Sequence, residues 1–391
     1  MIRLGVIGHG GRISDVIKHC FRAVDPEIRV TGIVDPDVSG ARARLAECDQ
    51  KDVVFYKNVD DLIAKGKPDA LAIGTRCHLH TPFAVHVARY DLPLYLEKPV
   101  ANSMKQALAL EKAFEKSKCR VVVSFPLRVS PLCTLTRRMI DEKMIGSPEH
   151  ILGVNYVPYG TVYFDQFYRN FETTQGLFLQ KATHDFDYMA YLMGSPIVRV
   201  GGMWNRGRIF GGKKKPDLKC SLCREARECL ESPENRKRNL SGGTTADHLC
   251  PFGCDCGDTK TGMNEDSSSA LLEFDSGVHG VYTQVFYSRR DAAVRGATIS
   301  GYHGTVSFDW YKNELRRVRH HEPFTDTIKA DGGMSHFGGD FELARDFLNL
   351  IRGQGTSRTT IEAGLASVYA CLAAKESCET GKFVKVRQVG Q

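Results

Sequence analysis

Residues 2–13 read IRLGVIGHGGRI, a short apolar run that ends in glycines and gives way to a helical pattern. An apolar run bounded by glycine predicts a buried β-strand of the kind found in parallel sheets. The glycines at Gly8 and Gly10 would let the backbone approach a pyrophosphate, and the following helix would supply N–H donors. Ile13 stands where the G-x-G-x-x-G fingerprint has its third glycine, so helix and strand must pack together here in another way.

The same alternation of strand and helix continues through the first third of the chain. Apolar runs at 29–34, 69–73, 93–96 and 120–124 are separated by amphipathic helical patterns. We therefore predict an α/β Rossmann-type domain over residues 1–125.

Beyond about residue 150, predicted strands follow one another directly and alternate apolar with polar residues, as in 278–287. This pattern favours an α+β domain over 126–391, with a large, mostly antiparallel open sheet. No periodicity survives over about 206–266, which we interpret as a cysteine-rich insertion between two strands.

Composition sets the class of protein. The 391 residues are 42% hydrophobic and 25% charged, which is typical of a folded globular chain. No apolar run approaches the roughly 20 residues of a membrane span, so we expect a cytoplasmic protein without a membrane partner.

The formal net charge is +7. Much of that excess falls in 206–239, and a confined charge run is more typical of a solvated surface than of nucleic-acid binding.

Asp35 ends the second predicted strand, 25 residues after Gly10. A carboxylate at this position would bond the adenosine ribose hydroxyls and repel a 2′-phosphate. Pro36 and Asp37 follow instead of basic residues, so NAD is favoured over NADP as the cofactor.

A later predicted strand ends in Glu97-Lys98-Pro99. This segment, after a Rossmann sheet, resembles the Gfo/Idh/MocA oxidoreductases, which include glucose–fructose oxidoreductase and inositol dehydrogenase. The resemblance extends over nearly the whole chain, from the Gly8 turn to the helix at 176–194 and the segment His336–Asp340. It implies an N-terminal NAD(P) domain, a C-terminal sheet for substrate and oligomer contacts, and hydride transfer on a sugar or polyol.

In that family the lysine of E-K-P works beside a D-x-x-x-H pair on a helix of the second domain. His184 matches the histidine, but Gln180 replaces the aspartate and Lys181 follows it. On an α-helix, positions 181, 184 and 188 share one face. His184 suits the role of base and Lys98 that of donor to the carbonyl oxygen. Two neighbouring ammonium groups would depress each other's pKa, so Lys98 or Lys181 could be the base instead.

The remaining candidates follow from these motifs. The predicted cofactor residues lie at strand ends and turns: Gly8, His9, Gly10, Gly11, Arg12, Ile13, Asp35, Gly74, Thr75, Arg76, His80, Glu97 and Lys98. The predicted substrate residues are polar or aromatic side chains near the expected cleft: Arg128, Tyr156, Gln180 and His336. Tyr156 opens an aromatic run, through Tyr159 to Phe171, that suits sugar stacking or core packing.

The insertion carries two groups of cysteines with metal-ligand spacing: Cys220, Cys223, Cys229, then Cys250, Cys254 and Cys256. Four of these thiolates would complete a tetrahedral structural zinc site. An iron–sulfur cluster is disfavoured because the C-x2-C-x2-C run is absent. Free or disulfide-paired thiols are the remaining interpretation.

We therefore predict an NAD-dependent oxidoreductase acting on a carbohydrate or polyol, assembled as a homo-oligomer, a dimer or tetramer. One alternative is a redox-neutral, NAD-dependent glycosidase that oxidises, eliminates and re-reduces its substrate. Another is a non-catalytic dinucleotide-sensing regulator, against which Lys98 and His184 argue.

Overall fold

The structure, a computed structural model, describes residues 1–253, 263–330 and 335–391. The chain divides into two compact units. The first unit comprises residues 1–134, 332–369 and 388–391, and the second comprises residues 135–331 and 370–387. The limits predicted from sequence, 1–125 and 126–391, follow the change from alternating strands and helices to consecutive strands. The structural units differ from them because a segment near the carboxyl terminus packs with the first unit.

The first unit contains a six-stranded, wholly parallel sheet in the order β3-β2-β1-β4-β5-β6. Its strands are β1 (Arg3–Ile7), β2 (Arg29–Val34), β3 (Val54–Phe55), β4 (Ala70–Ile73), β5 (Leu94–Leu96) and β6 (Val121–Val123). Strands β4, β5 and β6 are buried along their whole length, as expected for a parallel sheet covered on both faces. The predicted Rossmann-type sheet is confirmed. Its order reverses between β1 and β4, which is where such sheets bind ligands.

The second unit contains a nine-stranded sheet in the order β14-β13-β12-β11-β7-β10-β9-β8-β15. Its strands are β7 (Pro148–Tyr156), β8 (Ile197–Asn205), β9 (Ser267–Phe274), β10 (His279–Val285), β11 (Val294–Gly301), β12 (Gly304–Asp309), β13 (Glu314–Arg319), β14 (Thr325–Lys329) and β15 (Val384–Lys385). All neighbours are antiparallel except β10 and β7. In β9 and β10 buried and accessible residues alternate, so one face of the sheet is covered and the other is open. The predicted, mostly antiparallel open sheet is confirmed.

Helices connect the strands in both units. They are α1 (Gly11–Val16), α2 (Arg22–Val24), α3 (Val38–Ala43), α4 (Val59–Gly66), α5 (Cys77–Val87), α6 (Met104–Phe114), α7 (Pro126–Val129), α8 (Pro131–Asp141), α9 (Val162–Asp165), α10 (Phe171–Thr174), α11 (Thr183–Met193), α12 (Pro233–Asn239), α13 (Gly339–Ile351) and α14 (Ile361–Thr380). Two π-helical segments, Ile17–Phe21 and Phe178–Ala182, interrupt the α-helical geometry. Across the ranges that the structure describes, no helix is long and apolar enough to cross a membrane.

The core of the first unit explains why α13 belongs to it. The rings of Phe21, Tyr95 and Phe347 lie in mutual contact, with centroids 5.2–5.6 Å apart. Phe347 is on α13, whereas Tyr95 is the centre of β5. Burying three aromatic rings together is a large gain of apolar contact, so α13 is fixed beside the parallel sheet.

The insertion is attached to the second unit by buried charge pairs and aromatic packing. Arg236 on α12 is fully buried and donates to Asp165 at 2.8 Å and to Glu231 at 3.0 Å. Phe210 packs on Phe164 with ring centroids 4.5 Å apart. Although the segment lacks periodicity, these contacts give it a defined place against the second unit.

Candidate functional site

The glycine turn after β1 adopts a backbone that requires glycine. Gly8 has φ of +78°, and a Cβ there would lie 2.6–2.8 Å from atoms of Thr75. The Gly8 N–H donates to the carbonyl of Val34 at 2.8 Å, so the turn is fastened to the end of β2. Gly10 then precedes α1 in an extended conformation, without a capping side chain. The first N–H groups of α1 are thus left available to a ligand, as the phosphate-binding turn predicts.

Ile13 shows how the fold accommodates the missing third glycine. Ile13 is fully buried, and a Cβ built on Gly74 would lie 2.5 Å from the Ile13 Cβ. Gly74 follows β4 and provides the space that the third glycine of the fingerprint usually provides from the helix. The close packing of helix and strand is therefore kept, with the small residue moved to the neighbouring strand.

Asp35 lies at the carboxyl end of β2, close to the glycine turn. Its Oδ2 accepts from the His9 N–H at 2.7 Å, and its Oδ1 accepts from the Asp37 N–H at 2.8 Å. A carboxylate oxygen has further lone pairs, so these two bonds leave acceptor capacity for ribose hydroxyls. His9 itself is buried and its ring bonds the Ala41 carbonyl at 3.1 Å. Burial lowers the pKa of His9, which keeps the imidazole neutral beside the turn.

Arg12 is held by carboxylates of its own unit. Its guanidinium donates to both oxygens of Asp340, at 2.9 and 2.5 Å, and lies 3.2 Å from Glu97 Oε1. His336 adds a third contact to Asp340, at 2.8 Å. Burial would raise the pKa of Asp340, but Arg12 and His336 outweigh it and hold that pKa well below its usual range. The predicted cofactor residues Arg12 and Glu97 are thus joined in one ionic network with the predicted substrate residue His336.

The loop after β5 carries Lys98, which precedes a cis-proline, Pro99. His80 on α5 is buried between two backbone carbonyls, with ring nitrogens 2.8 Å from the Pro99 oxygen and 3.0 Å from the Thr75 oxygen. Thr81 also donates to the Val100 carbonyl at 2.8 Å. These bonds fasten the Lys98 loop to the turn after β4. The half-buried Lys98 therefore lies at the same carboxyl edge of the sheet as the glycine turn.

In the second unit, Lys181 and its neighbours lie in a π-helical segment rather than on a regular α-helix. The segment Phe178–Ala182 follows Gly176, whose φ is +100°. The buried carboxylate of Glu265 accepts from the N–H groups of Leu177 and Phe178 at 2.9 and 3.0 Å. The prediction that 181, 184 and 188 share one α-helical face is therefore wrong, because a π turn adds one residue and rotates Lys181 relative to α11.

The side chains of this region separate into two groups. Lys181 is 5% exposed, and its Nζ donates to the Tyr159 hydroxyl at 2.7 Å. Tyr188 instead donates to the Gly296 carbonyl at 3.1 Å and packs edge-on against Trp310. Tyr188 is thus part of the core. His184 and Gln180, predicted as base and substrate residues, are both buried.

Asp185 is the residue in this region that sequence reasoning missed. Its carboxylate accepts from Arg295 at 2.9 and 3.1 Å, from Asn155 at 2.9 Å and from the Tyr282 hydroxyl at 2.8 Å. The carboxylate is fully buried, and Arg295 is nearly so. Its partners come from β7, β10 and β11, so no local spacing in the sequence indicates the network. The sequence offers little to single it out, because a second acidic residue, Asp187, lies on the same helix.

The other predicted site residues fall in both units. In the first unit, Arg76 is exposed at the start of α5, and Arg128 on α7 donates to the Arg358 carbonyl at 3.3 Å. In the second unit, half-buried Tyr156 ends β7. Lys98 belongs to the first unit, whereas Lys181 and His184 belong to the second.

The cysteine insertion brings some of the predicted ligands close together. Lys219 and Leu249 form an antiparallel bridge, so the neighbouring backbones of Cys220 and Cys250 run side by side. The Cys220 sulfur lies 3.7 Å from Nδ1 of His248. Within residues 1–253, 263–330 and 335–391, however, no three His, Cys, Asp or Glu side chains are arranged to hold a metal ion. Cys254 and Cys256 lie outside the described residues.

Two family models match the chain. Residues 2–125 match the oxidoreductase family with an NAD-binding Rossmann fold. Residues 134–307 match the GFO/IDH/MocA C-terminal domain. Together these matches cover the six-stranded sheet and strands β7 to β11 of the nine-stranded sheet, and they confirm the family resemblance predicted from sequence.

Individual relatives agree with these models. Inositol 2-dehydrogenase 1 of Saccharopolyspora erythraea is 29% identical over 201 residues, which are 51% of this chain and 56% of that protein. Levoglucosan dehydrogenase in complex with NADH and L-sorbose superposes with a TM-score of 0.77 at 17% identity, covering 100% of both chains. An NAD binding oxidoreductase from Klebsiella pneumoniae gives a TM-score of 0.74 at 18% identity, covering 99% of both chains. At these identities the two structures show a shared fold.

The Arg12–Asp340 pair generates a test of stability. Replacing Asp340 with Asn should destabilise the first unit by about 2 kcal/mol, because a fully buried carboxylate that binds Arg12 through both oxygens is lost, although Arg12 itself is partly exposed. The native carboxyl has a lowered pKa, so its contribution is present above the unfolded pKa of about 3.9 and is lost as the pH falls below it. Urea unfolding at neutral pH and in acid measures both effects.

Asp346→Asn is the matched control, because Asp346 lies on the same helix and pairs with the half-exposed Arg358. We expect it to cost less than about 1 kcal/mol. Equal losses for the two variants, or a loss at Asp340 that persists unchanged in acid, would contradict the interpretation.

Proposed function

Because the chain belongs to the Gfo/Idh/MocA oxidoreductase family, we propose that it is an NAD-dependent dehydrogenase acting on a secondary alcohol of a sugar or polyol. The observation that carries the proposal is the edge of the parallel sheet. There the turn at Gly8, with its positive φ, the carboxylate of Asp35 and the loop bearing Lys98 follow strands β1, β2 and β5 of one sheet. Such an edge is where doubly wound sheets bind dinucleotides.

Residues of the first unit would hold the cofactor. The N–H groups that begin α1 suit the pyrophosphate, and Asp35 suits the adenosine ribose. The negative charge of Asp35 would repel a 2′-phosphate, so NAD is proposed in preference to NADP. The bound cofactor would supply the hydride acceptor, while the protein supplies orientation and proton transfer.

Three side chains are proposed to surround the reacting carbinol: Lys98, Lys181 and His184. Oxidation of an alcohol needs an acceptor for the hydroxyl proton and a donor to the developing carbonyl oxygen. The fastening of the Lys98 loop by His80 supports a positioned donor, because a group fixed in advance loses little freedom on binding. The substrate class is supported by relatives whose names include inositol 2-dehydrogenase and levoglucosan dehydrogenase.

The activity test uses sugars, polyols and glycosides with NAD and, separately, NADP. We expect net formation of NADH with at least one polyol and slower turnover with NADP. Lys98→Ala should lower turnover by at least about 100-fold, the usual contribution of a positioned acid–base or donor group, with NAD affinity nearly unchanged. Absorbance of the reduced nicotinamide and chromatography of products give the two readouts.

Lys105→Ala is the control, since Lys105 is an exposed lysine on the next helix and should leave turnover unchanged. Cleavage of a glycoside without net NADH would support the redox-neutral glycosidase instead. Wild-type function that survives Lys98→Ala but not Gly10→Val would favour a dinucleotide sensor.

The zinc prediction stays a proposal. It is supported by the cysteine spacing and by the bridge between Lys219 and Leu249, which joins the two segments that carry Cys220 and Cys250. We expect metal analysis of the purified chain to find about one zinc per molecule, lost in Cys220→Ser and kept in Cys48→Ser, whose cysteine is exposed and distant in sequence. A metal-free wild-type protein would leave the thiols as free or disulfide-paired.

The homo-oligomer also stays a proposal, with a second copy on the open face of the nine-stranded sheet. On this face Leu271 of β9 is 50% exposed, and Leu152 of β7 is accessible as well. Leu271→Asp should shift sedimentation toward the monomer, because a charge in an apolar interface is costly to desolvate. Leu240→Asp, at an exposed leucine of the insertion, should not; equal effects of the two would contradict this interface.

A further inference from the structure

Tyr159 and Lys181 form a hydrogen-bonded pair in the second unit. Tyr159 follows β7, and Lys181 is carried by the π-helical segment. The Lys181 Nζ lies 2.7 Å from the Tyr159 hydroxyl and 5.0 Å from its ring centroid. Lys181 is buried, but 37% of Tyr159 is exposed. The pair thus joins a buried ammonium to a side chain that a substrate can reach.

The surroundings favour a negative charge on the Tyr159 oxygen. The charged groups that act on it are Lys181 and Arg295, both cationic, and Asp185, which is already bound to Arg295. Burial alone would raise the pKa of Tyr159, but the two cations and the hydrogen bond from Lys181 outweigh burial and lower it below its usual value. Burial also lowers the pKa of Lys181, although Tyr159 opposes this.

The pKa values of the neighbouring tyrosines are shifted in the opposite direction. Burial raises the pKa of Tyr163, and the proximity of Tyr159 raises it further. Burial and Tyr159 likewise raise the pKa of Tyr311. Tyr282, which bonds Asp185, also has a raised pKa because it is buried beside that carboxylate. Of these four tyrosines, Tyr159 alone has a pKa shifted toward ionisation, and its hydroxyl accepts the hydrogen bond of Lys181.

From this geometry we propose that Tyr159 accepts the proton of the substrate hydroxyl, with Lys181 as its positioning residue. The inference rests on the proposed function, in which bound NAD⁺ would supply the acceptor for the carbinol hydride and its electron pair. The O–H bond of the alcohol breaks, its proton passes to the Tyr159 oxygen, and the oxygen's electron pair forms the new C=O bond. In the reverse direction the phenol returns that proton. Lys181 donates its hydrogen bond throughout and keeps its own protons.

With a tyrosine as the base, Lys181 has a different role from the one it would have with a histidine as the base. Lys181 donates its hydrogen bond to the Tyr159 hydroxyl, and an ammonium bonded to a phenolate stabilises the form that accepts a proton. Tyr159 is 37% exposed, and an aromatic side chain can also lie along an apolar sugar face.

The first test is a spectroscopic pH titration of the full chain without cofactor, following the near-ultraviolet absorption of tyrosinate. We expect wild type to show one phenol that ionises below the ordinary pKa of about 10. Tyr159→Phe should remove this ionisation, and Lys181→Met should move it to higher pH. Tyr163→Phe is the matched control and should leave it in place. A wild type without any such early ionisation overturns the inference.

The second test is the pH profile of polyol oxidation with NAD. Wild-type kcat/KM should rise with pH as Tyr159 ionises. Tyr159→Phe should lower kcat/KM by about 100-fold or more and abolish its rise with pH, with NAD affinity unchanged. The double variant Tyr159→Phe/Lys181→Met removes the buried ammonium together with its partner and should be folded and equally inactive.

The outcomes separate the two proposals. If kcat/KM still rises with pH in Tyr159→Phe but no longer does so in His184→Gln, the tyrosine inference is overturned and the proton is assigned to His184. A wild type that binds NAD but oxidises no sugar or polyol overturns the proposed function, whatever the titration shows.

Discussion

Parallel β-strands end at a common edge, and this geometric constraint determines the first unit. The carboxyl ends of β1, β2, β4 and β5 lie side by side in the order set by the sheet. Residues far apart in sequence are therefore gathered at one place: the Gly8 turn, Asp35, Gly74 and the Lys98 loop. A backbone bond joins Gly8 to Val34, and the side chain of His80 lies between the carbonyls of Thr75 and Pro99. These contacts connect the loops of this edge to one another without a ligand.

Both units also place a buried carboxylate–guanidinium pair beneath their functional residues. Asp340 holds Arg12 at the start of α1, and Asp185 holds Arg295 beneath Lys181 and Tyr159. Buried charges must be paired, and truncating one partner leaves the other uncompensated. These pairs therefore fix the positions of α1 and α11 more strictly than apolar packing alone would, because each bond has a direction as well as a distance.

The sequence allowed the two sheets, the glycine turn and the family resemblance to be predicted, because each depends on local periodicity or on a short motif. It could not show that Gly74 accommodates Ile13, since that contact joins helix α1 to the end of β4 through space. Nor could it show Asp185 at the centre of a network from three strands. The π-helical turn was missed for a different reason: the residues 176–194 fit an α-helical pattern, and the capping carboxylate, Glu265, is remote in sequence.

The departure at Gln180 and the pair at Lys181 are two aspects of one change in charge. In the family pattern an aspartate stands four residues before the histidine; here that position is the neutral Gln180, and the next residue is the buried cation Lys181. Lys181 donates its hydrogen bond to the Tyr159 hydroxyl and, together with Arg295, lowers the pKa of this phenol. A buried ammonium has lost its water and needs a close hydrogen-bonded partner to offset that cost. Tyr159 is that partner, so the change in charge at this segment is matched by an aromatic side chain that follows β7.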